Sequence, residues 1–169
     1  KELTIRSENG SDQCQLFPQY YNGHMILINS NNVTIIGFSM NGTGYSYASL
    51  FCDGFENITI MDNWINDTGS GIIFEDVIDA RILNNVMENC SKNPLYGYRI
   101  SNVSIMGNSF SNGGDEGAEF SHMDNCTIKN NIAFGNKYSG ILIRSGNDNV
   151  VIENTLNGNG VPGHSAYKD

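Results

Sequence analysis

Charge is scarce in this chain. Only 16% of its 169 residues are Asp, Glu, Lys or Arg, and of these 18 are acidic and 9 basic. A formal net charge of −9 leaves no basic stripe, so no nucleic acid is expected as a partner. An anionic polymer is repelled too, unless a local basic patch or a bound cation intervenes. Proline is rare, with 3 residues, and tryptophan occurs once. A chain this poor in proline, with a regular apolar pattern, is not a disordered low-complexity segment. No apolar run approaches the roughly 20 residues that span a bilayer, and Met25–Ile28 is typical of the longest; no membrane span is expected in this segment. No secretory leader is visible. The sequence opens at Lys1 without a Met and stops abruptly at Asp169, which reads as a mature or excised segment of a longer protein. Cys14, Cys52, Cys90 and Cys126 follow no metal spacing. They are expected as buried free thiols, with a disulfide left open for an oxidising compartment.

Uncharged polar residues fill the gap: there are 25 Asn and 19 Gly. Both disfavour helix interiors and ordinary strands and suit tight bends. The bends must fall at regular places, because one pattern recurs. It reads Asn-Val-Thr-Ile-Ile-Gly at 32–37, Asn-Ile-Thr-Ile-Met-Asp at 57–62, Asp-Ala-Arg-Ile-Leu-Asn at 79–84, Asn-Val-Ser-Ile-Met-Gly at 102–107, Asn-Cys-Thr-Ile-Lys-Asn at 125–130 and Asn-Val-Val-Ile-Glu-Asn at 149–154. The second residues, Val33, Ile58, Ala80, Val103, Cys126 and Val150, are spaced 25, 22, 23, 23 and 24 apart. Apolar and polar residues alternate within each copy, the period of a half-buried strand. A second strand precedes each copy, with inward residues Met25 and Leu27, Leu50 and Cys52, Ile72 and Phe74, Ala118 and Phe120, and Ile141 and Ile143. A third apolar station follows at Met40, Ile65, Met87, Phe110, Phe134 and Leu156.

Three short strands per period make one coil, which cannot bury its own inner face. Stacked coils can, each strand pairing in parallel with its copy in the next. The fold expected is all-β: a single-stranded right-handed parallel β-helix, or solenoid, of about six to seven coils, spanning 1–169 as one domain. Asn63, Asn85, Asn108 and Asn131 fall at one bend; Asn32, Asn57, Asn102, Asn125 and Asn149 fall at another, with Asp79 substituting. Amides stacked about 4.8 Å apart can hydrogen-bond along the coils. Phe38 and Thr155 are expected to break the first ladder in the first and last copies. No amphipathic helix shields either end coil, so flanking segments or homo-oligomer contacts are expected there.

The Asn-Val-x-Ile-x-x-Asn core over roughly residues 23–160 resembles the right-handed parallel β-helix repeats of carbohydrate-binding and sugar-hydrolysing surface proteins. Pectate lyases, polygalacturonases, uronan epimerases and the periplasmic nitrous-oxide-reductase maturation protein share that architecture. Leu3-Thr4-Ile5-Arg6-Ser7-Glu8-Asn9-Gly10 looks like the first coil of archaeal cell-surface β-helix proteins, a group that includes disaggregatase-type polysaccharide-degrading enzymes. The resemblance implies an extracellular or cell-surface protein with polysaccharide as its partner. Sequons outside the repeat, at Asn9, Asn41, Asn66 and Asn89, are compatible with that location.

The repeat also maps the outward face of the second strand. One column reads Phe51, Ile73, Tyr96, Glu119, Leu142; the next reads Asp53, Glu75, Tyr98, Ser121, Arg144; just beyond lie Gly54, Asp76, Arg99 and His122. This face combines residue types that sugar sites use: rings for pyranose faces, carboxylates for acid–base work, cations for anionic groups. For hydrolysis, Glu119 pairs with Glu75 or Asp76 as the two carboxylates. For elimination on a uronate, Arg99 or Arg144 neutralises the carboxylate and His122 or Tyr98 takes the proton. Tyr96, Tyr98, Arg144 and Asp115 are the expected substrate contacts. No cofactor is certain; Ca2+ held by Asp115, Glu116 and Glu119 is the one cation site the pattern admits. There is no Asp-Pro-x-x-His of the uronan epimerases and no polygalacturonase aspartate set. A solvated face stabilised by neighbouring opposite charges accounts for the same residues. His24 and His164 lie in separate regions and suggest no site, and Trp64 is expected to face outward and pack. The expected function is degradation or binding of an extracellular polysaccharide, acidic or complex, with a non-catalytic cell-surface or adhesion module as the alternative. A metal-delivery scaffold is a third reading, and the core positions of most Met residues argue against it.

Overall fold

The computed structural model describes residues 1–18, 23–42 and 47–160, which form strands and bends with no helix among them. His164, the end of the chain and two short connections lie outside the described residues. The strands make three parallel sheets of seven, seven and six strands. Sheet A runs from Leu3–Arg6 through Val33–Ile36, Ile58–Met61, Arg81–Leu83, Ser104–Met106 and Thr127–Lys129 to Val150–Ile152. Sheet B runs from Gln15–Leu16 to Thr155–Asn157, and sheet C from Ile26–Ile28 through Ala48–Asp53, Ser70–Glu75, Leu95–Ser101 and Ala118–Asp124 to Ile141–Ile143. The chain visits C, A and B in turn, so the fold is the parallel β-solenoid the repeat requires.

The asparagines and glycines are the corners. Three columns of left-handed backbone mark the corners between sheets: Asn32, Asn57, Asp79, Asn102, Asn125 and Asp148 between sheets C and A; Gly37, Asp62, Asn84, Gly107, Asn130 and Glu153 between A and B; Gly42, Asp67, Asn89, Asn112, Gly135 and Gly158 after B. Asn, Asp and Gly take this conformation at least cost, and all but one of these residues belong to those types. A second asparagine lies beside the middle corner and points inward. Asn63, Asn85, Asn108, Asn131 and Asn154 form an unbroken ladder, each Nδ2 donating to the Oδ1 of the next at 2.9–3.1 Å. Each Oδ1 also accepts the backbone N–H of the residue one coil earlier, and each Nδ2 donates to a strand carbonyl such as Ile82 O at 2.8 Å. Asn66 and Asn89 are ladder amides as well (Asn89 Nδ2 to Asn66 Oδ1, 2.9 Å), so they are less available to glycans than their sequons suggest.

Inside, the three sheets close around one continuous core with Ile35, Leu50, Ile60, Ile72, Phe74, Met87, Phe110 and Phe120 sealed from solvent. All four cysteines are free thiols; Cys52, Cys90 and Cys126 are buried and Cys14 is half-buried.

Three details of register differ from the sequence reading. In the first coil Ile26 and Ile28 face inward, paired with Leu50 and Cys52, while Leu27 is 53% exposed. The connection from Ile28 to Val33 is one residue shorter than that from Cys52 to Ile58, and a one-residue slip turns every side chain over. In sheet B the small Ala133 takes the inward station between Phe110 and Leu156, and Phe134 is 51% exposed. In the last coil Val151 pairs with Ile128. Asp148 takes the corner that Asn149 was expected to take, and Asn154 continues the ladder where Thr155 was expected to break it. Phe38 does end the ladder at the first coil, its N–H donating to Asn63 Oδ1 at 3.0 Å.

The second correction gives a direct check. Phe134→Ser is expected to change stability by less than about 0.5 kcal/mol, as surface substitutions do. Ala133→Leu is expected to cost about 2 kcal/mol by overpacking. Urea midpoints of the two variants should differ accordingly.

Candidate functional site

The outward columns of sheet C are paired as the repeat predicts. Phe51, Ile73, Tyr96, Glu119 and Leu142 stand in one register, and Asp53, Glu75, Tyr98 and Ser121 in the next. Tyr96 and Glu119 are therefore neighbours on adjacent strands, as are Glu75 and Tyr98. Arg144 closes onto this face, its Nε donating to Glu119 Oε1.

Glu119 has a further partner that the repeat columns did not reveal. Asn93 Nδ2 donates to Glu119 Oε2 at 3.3 Å and to Glu116 Oε2 at 3.4 Å, and also to the Glu116 backbone carbonyl. One amide thus holds two carboxyl groups. Since both oxygens lie within 3.4 Å of one nitrogen, the two carboxyl groups are close enough to serve one glycosidic bond. The two groups sit in unlike surroundings. Glu116 is only 6% exposed. Burial pushes its carboxyl above the ordinary Glu value, and the nearby Glu119 and Asp115 charges add to the rise, against hydrogen bonds from its own N–H and Asn93.

A raised carboxyl in the folded state binds its proton more tightly than in the unfolded chain. The stabilisation it gives is complete below about 4.5, the ordinary Glu value, and is lost as pH rises through the folded value. Glu116→Gln keeps the shape and does not titrate. Its stability relative to the parent chain is expected to improve steadily as pH rises above 4.5, read from thermal melts across a pH series. A gap that stays flat with pH would contradict the assignment.

The expected Ca2+ cage does not form. Among the described residues no group of three or more His, Cys, Asp or Glu is placed to hold a metal ion. Glu116 and Glu119 share the Asn93 amide instead, and Glu119 is also engaged by Arg144.

Asp76, Arg99 and His122 lie apart from the Glu pair, at a bend that follows Ser70–Glu75 and falls within Leu95–Ser101 and Ala118–Asp124 of sheet C. They line a groove of about 440 Å³ with Ile78, Ser101 and Asp124. All three have left-handed backbone, with φ of 52°, 51° and 56°; in the preceding coil the same position is Gly54. Arg and His take this conformation at a cost of about 1–2 kcal/mol each. Arg99 forms a two-pronged ion pair with Asp76, and its hydrogen bonds hold the Asp76 carboxyl below the ordinary Asp range. The Arg99 guanidinium sits 4.5 Å over the Tyr98 ring, whose other contact is an edge-on His122 at 5.5 Å. Ser121 Oγ lies 3.1 Å from His122 Nδ1. Arg99 and Arg144 are both neutralised by carboxylates, so neither offers an uncompensated charge to a uronate.

His24, which the sequence gave no role, belongs to the same face. It stacks on Phe51 at 4.5 Å, and its Nδ1 accepts the Ala48 N–H at 3.0 Å. Burial lowers its affinity for a proton. Trp64 lies on sheet B, half-buried, its Nε1 donating to Glu88 at 2.8 Å.

Comparison with known proteins bears on the whole chain. The family model described as periplasmic copper-binding protein (NosD) matches residues 7–168. No curated protein matches the sequence. Solved structures share the fold at low identity. A glycosyl hydrolase from Parabacteroides merdae, itself so described only provisionally, is 14% identical, with a TM-score of 0.64 over 76% of this chain and 75% of that one. The catalytic domain of an α-1,3-glucanase in complex with tetrasaccharides is 15% identical, with a TM-score of 0.67 over 90% of this chain and 32% of that one. A periplasmic alginate epimerase is 17% identical, with a TM-score of 0.64 over 70% and 29%. The chain thus spans about a third of the length of the last two.

Proposed function

Because the chain belongs to the NosD family of right-handed β-helix proteins, we propose that it is a periplasmic or extracellular β-helix that hydrolyses a polysaccharide laid along the outer face of sheet C. The observation that carries this reading is the Asn93 bridge between two carboxyl groups, the more deeply buried Glu116 and Glu119, which is ion-paired with Arg144. Two carboxyl groups in contrasting environments divide into a proton donor and a nucleophile. Glu116 gives its proton to the glycosidic oxygen as that bond breaks. Glu119 forms an ester with the sugar carbon. Water then attacks that carbon, Glu116 takes the water's proton, and the ester bond breaks to release Glu119. Arg144 and Asn93 orient Glu119, and the neighbouring Tyr96 ring offers a surface for a pyranose. The carbohydrate-acting fold neighbours support the reading by analogy. Both arginines of the face are already paired with carboxylates, which favours a neutral or mixed glycan over a polyuronate, and hydrolysis over elimination.

The same ion pairs support a second reading, a binding module without chemistry, since paired charges on neighbouring strands also stabilise a stack. Binding is common to both readings. Retardation of the folded chain in gels containing neutral, uronate or sulfated polysaccharides is expected for at least one neutral or mixed polymer. Tyr96→Ala should weaken it about tenfold, the loss of one ring contact. No retardation by any polymer, or retardation that Tyr96→Ala leaves unchanged, would remove the face from consideration.

A further inference from the structure

The family description names copper, and the chain has the donor types copper prefers: imidazole, thiol and thioether. The fold has placed each of them elsewhere. Met40, Met87 and Met123 are sealed in the core, and Met25 and Cys14 pack partly buried against it. Met61 and Met106 face outward from sheet A, but Leu83 stands between them in register. His24 has its Nδ1 taken by Ala48 N–H and its ring against Phe51. His122 is at the far corner of sheet C, four strands along.

The cysteines are more informative. Cys126 Sγ accepts the N–H of Val103 at 3.3 Å and contacts the carbonyls of Asp124 and Ile100 at 3.2 and 3.9 Å. One coil later Asn149 makes the matching bonds, its Oδ1 accepting Cys126 N–H at 3.0 Å and its Nδ2 donating to Met123 O at 2.6 Å. Cys90 stands one period before Gly113, which donates to Asn136 Oδ1 in the corner ladder that continues to Asn159. Its thiol contacts Thr68 Oγ1 at 3.4 Å and Glu88 O at 3.8 Å. Burial pushes the Cys52 and Cys90 thiols up to about 12, and raises Cys126 as well, which opposes the thiolate form a metal would need.

We infer that Cys90 and Cys126 stand in for corner-ladder asparagines, with sulfur in place of the amide, and that this member of the NosD family does not hold copper. The described donors do not fit the metal: they do not converge, and the buried thiols are committed to backbone groups and core packing.

The test uses the full, reduced chain under anaerobic conditions with Cu(I) presented as its coloured bicinchoninate complex. The colour is expected to persist, with no Cu(I) withdrawn. Withdrawal of one equivalent overturns the inference, whichever residues supply the ligands, His164 included. The ladder role has its own readout. Cys126→Asn is expected to keep the melting temperature of the parent chain, because an amide restores the bonds, whereas Cys126→Ala lowers it. Equal losses in the two variants would overturn that role. The buried thiols of Cys52, Cys90 and Cys126 should react with a thiol reagent only on unfolding; rapid reaction in the folded chain would contradict their placement.

Discussion

Asn108→Ala is expected to destabilise the chain by about 4 kcal/mol, roughly a thousandfold in the folding equilibrium. Asn108 is buried in the middle of the inner ladder. Its Oδ1 accepts both the N–H and the Nδ2 of Asn85, at 2.9 and 3.1 Å. Its Nδ2 donates to Ile82 O and Asn131 Oδ1, at 2.8 and 3.0 Å. Alanine leaves a backbone donor, a backbone acceptor and two side-chain amides without these partners, and each buried loss costs about 1–3 kcal/mol. Some relaxation offsets the sum. The exposed corner column provides the contrast. Asn102 also bonds along the stack, to Asp79 and from Asn125. Its left-handed φ of 56° suits glycine, so Asn102→Gly should stay within about 1 kcal/mol of the parent. Urea midpoints at constant slope separate the two. An Asn108→Ala chain as stable as Asn102→Gly would mean that the inner amides fill space and do not hold the coils together.

Glu119→Gln and Glu116→Gln are each expected to lower the rate of glycan hydrolysis about a thousandfold, at the middle of the range for acid–base groups. The two losses should differ in kind. Without the Glu119 carboxylate no glycosyl ester forms, and a small anion such as azide added to Glu119→Gly should restore turnover. Glu116→Gln should retain activity best on substrates whose leaving group needs no proton, such as aryl glycosides. It should also be more stable than the parent at neutral pH, for the reason given by its raised carboxyl. A residue that lowers stability and raises activity is held for function. Equal, small losses in both variants would point to a merely structural pair.

The solenoid was legible because its inward isoleucines repeat at Ile35, Ile60, Ile82, Ile105 and Ile128, all fully buried or nearly so. It was least legible at the ends. Leu27 and Val150 were read one residue out because corner lengths vary by one residue there, and the apolar runs Met25–Ile28 and Val150–Ile152 fit either register. Phe134 is the larger apolar residue of its pair, but the ladder asparagine two residues before Ala133 fixes the inward station. At the site, the columns holding Tyr96, Glu119, Glu75 and Tyr98 followed from the period. The strained corner did not, since nothing in the sequence marks Arg99 or His122 for left-handed backbone. Asn93 stands 23 residues before Glu116, one period, so their contact was present in the repeat. The burial of Glu116 was not, because its segment lies outside the strand pattern.

The most direct test of the proposed activity is the release of reducing ends from a panel of neutral, mixed, uronate and sulfated polysaccharides by the purified, folded chain. Release from a neutral or mixed polymer, without ultraviolet absorbance from unsaturated ends and absent in Glu119→Gln, is the expected result. No release from any polymer, or release that Glu119→Gln leaves intact, would contradict hydrolysis at the Glu116–Asn93–Glu119 site.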